Sequence, residues 1–148
     1  MKMKIVRLDK RYTIDKAGFS AFMLAQGFHQ QSVDGLIIHV RPDHPKGPTH
    51  LGEFKEPDTI YLYTHGQDPV EVNITLLHEV RHFWQWIEYF KKYHQAMSTK
   101  NPLLSWHLPS EEHIEYWNRP REVDARAFSE QYAAFHHFVF YHKMGDHR

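Results

Sequence analysis

The chain contains no cysteine. That excludes a disulfide framework, a zinc ribbon, an iron–sulfur cluster and a thiol nucleophile. It also lacks an excess charge: 18 Lys and Arg balance 18 Asp and Glu, so a general nucleic-acid binder is not expected. No apolar run approaches the ~18 residues of a membrane span. The charged start Met1-Lys2-Met3-Lys4-Ile5 is not followed by the long apolar segment of a secretory signal. A cytoplasmic protein without a membrane partner is the expectation.

What is present is a core and an unusual amount of imidazole. Hydrophobic residues make up 41% of 148, enough to bury the interior of one domain spanning residues 1–148. Histidines number 14, close to one residue in ten, so nitrogen ligands are plentiful where sulfur ligands are missing.

Alternation over Lys2 to Leu8 predicts a short strand. Asp15 can cap a helix from about Lys16 to Phe28, in which Phe19, Phe22, Met23 and Gln26 recur at helical spacing and Gly27 offers a stop. Branched residues over Gly35 to Arg41 predict a second strand, and Pro42, Pro45, Gly47 and Pro48 a loop. A third strand is predicted from Asp58 to Thr64, with Ile60, Leu62 and Thr64 on one face and Tyr61 and Tyr63 on the other.

The clearest helix signal follows. Asp68 suits an N-cap, Pro69 the first helical position and Glu71 the far corner of a capping box. Nothing breaks the pattern until about Gln95. Leu77, Val80, Trp84 and Ile87 form an apolar stripe that Leu76, Phe83 and Phe90 widen, so this helix is expected at the centre of the fold. A loop over Ser98 to Pro109 and a short turn at Ser110 to Glu112, interrupted by Pro120, precede a last helix. That helix is predicted from about Arg121 to His142, with Phe128, Tyr132, Phe135 and Val139 buried.

The central helix contains His78-Glu79-Val80-Arg81-His82, an H-E-x-x-H pattern. Residues four apart lie one turn apart on one helix face, so both imidazoles can reach a single ion. Glu79, adjacent to His78, can instead take the proton of a water held there. Two histidines leave a zinc site incomplete, and the third ligand must be a His, Asp or Glu downstream. A third His six residues after the second is excluded, because position 88 is Glu88.

With Glu122, Ala125 and Phe128 in the last helix, the chain resembles the minimal gluzincin metallopeptidases, especially the ImmA/IrrE-like group. Those carry H-E-x-x-H on one helix and E-x-x-A-x-x-F-A near the start of the next; Ser129 stands here for the final Ala. The resemblance implies His78, His82 and Glu122 as zinc ligands and Glu79 as general base. It implies an α+β fold of minimal zincin type: a sheet of about three strands packed with an N-terminal helix, the H-E-x-x-H helix and a C-terminal helix. It also implies an extended peptide bound along a sheet edge, for which Tyr61 to Thr64 is the expected strand.

Helix geometry favours Glu122 over Asp124, since the two lie about 200° apart around the axis. Thermolysin-like relatives continue to E-x-x-x-D, where this chain has Arg126, so the residue that orients a ligand histidine is open among Asp124, Glu115 and a backbone carbonyl. His107, His113, Tyr116 and Tyr132 are candidate donors to a transition-state oxyanion. His136, His137 and His142 read as surface or interface histidines, with a second metal site as the alternative, and Glu88 with Lys92 as a solvent-facing helix pair.

The expected activity is hydrolysis of a protein or peptide substrate by zinc-activated water, and the resemblance implies a regulatory protein as the target. The alternatives are a catalytically silent zinc module that binds a protein or nucleic-acid partner, and a structural protein without metal.

Overall fold

The computed structural model describes residues 2–45, 47, 50–98 and 119–142, with side chains described up to residue 89 in the long helix. The fold is mixed α+β. Its elements are β1 (Lys4–Arg7), β2 (Tyr12–Ile14), α1 (Lys16–Ala25), α2 (Gln30–Gly35), β3 (Ile37–Arg41), β4 (Gly52–Lys55), β5 (Thr59–Tyr63), α3 (Pro69–Ser98), α4 (Pro120–Ala133) and β6 (Val139–Tyr141).

The main sheet has four strands in the order β1-β3-β5-β4, not the three expected. β1, β3 and β5 run parallel, and β4 closes the edge antiparallel to β5. Registry places Ile5 beside Ile38, Ile38 beside Ile60, and Ile60 beside Phe54. This row lies on the face turned toward the core, where Ile38, Ile60, Val40 and Leu62 have no exposed surface. β5 is therefore an interior strand. The Tyr61 to Thr64 segment cannot offer a free edge, because both of its flanks are already hydrogen-bonded; the edge strands are β1 and, beside β5, β4.

α1 begins as its cap predicts, with Asp15 Oδ1 accepting from the Gly18 amide at 3.0 Å. It ends at Ala25, short of Phe28, because Gly27 adopts φ +98° and turns the chain. Phe19, Phe22 and Met23 fill the core. The capping box of α3 is reciprocal: Glu71 N donates to Asp68 Oδ1 at 2.8 Å and Asp68 N to Glu71 Oε1 at 3.3 Å. Leu76 and Leu77 on its inner face are fully buried, each worth about 1.5–3 kcal/mol by removal from water.

The last helix ends at Ala133, not near His142. Phe135 is 87% exposed, while Val139 is buried in β6, a strand antiparallel to β2. The cause is distant in sequence. Asn73 of α3 donates from Nδ2 to His136 O at 2.9 Å and accepts from Phe138 N at 2.8 Å, holding the turn that carries Phe138 into the core. α2, β2 and β4 were also absent from the sequence reading. No described helix is long and apolar enough to cross a membrane.

Candidate metal centre

α3 presents two faces. One carries Leu76, Leu77, Val80 and Phe83 into the core; the other carries His78, Glu79 and His82 toward α4. α4 can approach closely because Ala125, one turn after Glu122, has no exposed surface and little bulk. Arg81 secures the pairing from α3: its Nε donates to Asp124 Oδ2 at 2.7 Å, and its guanidinium lies 5.1 Å from the Phe128 ring centre.

Between the helices the Glu122 carboxylate reaches both imidazoles. His78 Nε2 is 3.0 Å from Oε2, and His82 Nε2 is 3.0 Å from Oε1. Ligand atoms of the three residues lie within 4.8 Å of one another. Among the described residues this is the only group of His, Asp or Glu that could hold a metal ion. His82 Nε2 is buried and makes no hydrogen bond, although Oε1 is close by. A buried ring nitrogen without a partner is unfavourable, and a cation between these atoms would relieve it. The N₂O donor set is one that zinc accepts. The residues fit a metal.

The electrostatics reflect crowding. Burial pushes the Glu79 carboxyl above the usual carboxylate range, and the neighbouring imidazoles of His82 and His78 offset this only in part. Burial pulls His82 down, but the Glu122 carboxylate and the charge of Glu79 outweigh it, so the ring is held above its ordinary value. Asp124 is lowered: burial acts upward, and hydrogen bonds from Arg81 and Gln85 exceed it.

Gln85 was missed in the sequence reading. Its Oε1 lies 2.8 Å from His82 Nδ1, and its Nε2 donates to Arg121 O at 3.0 Å and to Asp124 Oδ2 at 2.8 Å. The available signal was spacing, since Gln85 is three residues beyond His82 and so on the same face. Asp124, left open as a direct partner of a ligand histidine, reaches His82 only through Gln85. Glu115 lies outside the described residues.

The centre opens into a groove of about 680 Å³. His78, Glu79 and Glu122 line it together with Gly52 and Glu53 of β4 on one side and Arg126 and Ser129 of α4 on the other. His44 and His50, stacked with ring centres 4.3 Å apart, also border it. Arg126 and Ser129 share the helix face of Glu122, which spacing alone indicates, whereas Gly52, Glu53, His44 and His50 carry no local sign of the site. Tyr132 is not among the lining residues; it packs against Phe22 and Phe128 with ring centres 5.5 and 4.8 Å away. His107, His113 and Tyr116 lie outside the described residues. His136 packs on Phe22, His137 on Phe140, and His142 Nε2 contacts Thr13 Oγ1 at 2.9 Å, so these histidines serve separate contacts.

Comparison with protein-family models, with curated proteins and with solved structures gives no match.

Proposed function

We propose that the chain is a zinc-dependent peptidase of minimal zincin type, with His78, His82 and Glu122 holding the ion and Glu79 as general base. The observation that carries this reading is that one donor atom each from His78, His82 and Glu122 lies within 4.8 Å of the others, while His78, Glu79 and Glu122 line an open groove. Zinc bound there would supply Lewis acidity, polarising a peptide carbonyl and acidifying a water.

The chain's own residues do the rest. Glu79 shares the α3 turn of His78 but borders the groove, so its carboxylate can accept a proton from an attacking water and return it to the leaving amine. Burial raises its pKa above the usual carboxylate range, which favours its holding a proton between the two transfers. β4 forms one wall, and an extended peptide can add to the sheet at that strand, in place of the interior β5. The partner implied is therefore a protein or peptide presenting an extended segment.

The test compares wild type with Glu79→Gln on casein and on candidate regulatory proteins, with zinc content measured in both. The expected result is equal zinc and a loss of hydrolysis of at least roughly a hundredfold. Equal rates would remove Glu79 as the base. A zinc-loaded wild type that cleaves nothing while retaining a binding partner would replace the peptidase by a silent zinc module.

A further inference from the structure

We infer that Gln85 is a positioning residue that holds His82 in its Nδ1–H tautomer and thereby aims the lone pair of Nε2 at the metal position. The inference deepens the proposed metal centre and rests on His82 being a ligand, but it does not depend on peptide hydrolysis.

The argument begins with the orientation of an amide. One terminal atom of Gln85 faces Arg121 O at 3.0 Å and Asp124 Oδ2 at 2.8 Å. Both partners are acceptors, so only the NH₂ group can occupy that position. The other terminal atom, Oε1, is therefore the one 2.8 Å from His82 Nδ1. A carbonyl oxygen accepts and cannot donate. Nδ1 must carry the proton, and in the neutral ring Nε2 then has the lone pair.

The far end of this chain cannot easily swing to undo the arrangement. Asp124 is held by Arg81, whose Nε donates to Oδ2 at 2.7 Å and whose Nη2 donates to Oδ1 at 3.3 Å. Gln85 also grips the backbone of Arg121, the residue immediately before Glu122. One side chain on α3 thus sets the ring of one ligand and the helix start that carries another. The result at Nε2 is a buried lone pair 3.0 Å from a Glu122 oxygen with no hydrogen bond between them. A pair held so close is stabilised by a positive charge between its atoms, supplied by a proton in the metal-free protein or by a bound cation.

The tautomer is read from long-range proton–nitrogen correlation of histidine rings in the metal-free protein, at a pH where His82 is neutral. Wild type should show His82 protonated on Nδ1. Gln85→Leu, similar in size but unable to hydrogen-bond, should lose that preference and bind zinc roughly 10–100-fold more weakly in a chelator competition. The ring tautomer is a readout that a purely packing role for Gln85 would not move. A neutral wild-type His82 protonated on Nε2 would overturn the inference, and this holds even if Gln85→Leu fails to fold. So would a folded Gln85→Leu with unchanged tautomer and zinc affinity. Failure to cleave any peptide, with the tautomer as expected, would count against the peptidase reading and leave the role of Gln85 standing.

Discussion

Gly52 on β4 and Thr75 on α3 pack so closely that a β-carbon on Gly52 would come within 2.5 Å of Thr75 Cγ2 and 3.0 Å of Tyr61 O. The missing side chain lets the edge strand lie directly on the helix beside Glu79, whose Cγ would be 3.4 Å from that added carbon. Gly52→Ala must therefore shift either the Thr75 side chain or β4 itself. The expected cost is about 1–3 kcal/mol, the range for overpacking a tight site, measured by urea unfolding. Hydrolysis should fall in the same variant because one wall of the groove has moved. Wild-type stability would show that β4 shifts freely.

Removing the third donor should act on metal more than on folding. Glu122→Ala leaves two imidazoles and should lower zinc affinity sharply, whereas Asp124→Ala should lower it less, because Asp124 acts through Gln85. Competition with a chromophoric chelator ranks the two. A larger effect from Asp124→Ala would place it on the metal.

Metal should also join the two helices thermodynamically. His78 and His82 belong to α3 and Glu122 to α4, so an ion held by all three stabilises the folded state through linkage. Zinc at a hundred times its dissociation constant should add about 2.7 kcal/mol. For a chain of this length that raises the melting temperature by roughly 5–10 °C, and a chelator should reverse it. A melting temperature indifferent to zinc and to chelator would contradict the site.

Acid sensitivity should arise away from the metal. Asp9 is 5% exposed, and its carboxyl is lowered to about 2 from 3.8: the Arg11 hydrogen bond is the largest cause, burial opposes it, and Thr64 lowers it further. A folded pKa below the unfolded one means stability that is complete above about pH 5 and lost as the pH falls toward 2. The loss should be on the order of 2 kcal/mol. Asp9→Asn should flatten the stability curve in that window while lowering stability at neutral pH. Parallel curves for the two proteins would exclude Asp9 as the source.

What the sequence revealed divides by the distance over which each element is determined. α1 and α3 carry their own caps and helical period, and Asp15, Asp68 and Glu71 act on amides within three residues. β3 and β5 are runs of branched and aromatic residues that suit a sheet wherever they pair. By contrast β4, with Gly52 at its start, has little strand character; it is a strand because β5 and α3 receive it. β6 looked like the end of a helix because Phe128, Tyr132, Phe135 and Val139 keep helical spacing. The outcome was decided by Asn73 and by pairing with β2, neither of which leaves a local trace. At the metal centre the H-E-x-x-H spacing is a helix-turn relation and was legible. One groove wall comes from β4 and the loop before it, which reach α3 only after folding; the other is the α4 face of Glu122, Arg126 and Ser129.

The pairing of β2 with β6 has a consequence for how the chain is made. Tyr12 lies beside Tyr141, and Phe138 packs on both Phe19 and Phe22, at ring-centre distances of 5.3 Å each. A ribosome releases α1 long before it releases Phe138. Until Phe138 emerges, the Phe19–Phe22 side of α1 lacks the aromatic ring that covers it in the folded domain. Until β6 pairs with β2, the Phe138 ring cannot seal that side of α1, so closure of this part of the core depends on two segments far apart in sequence.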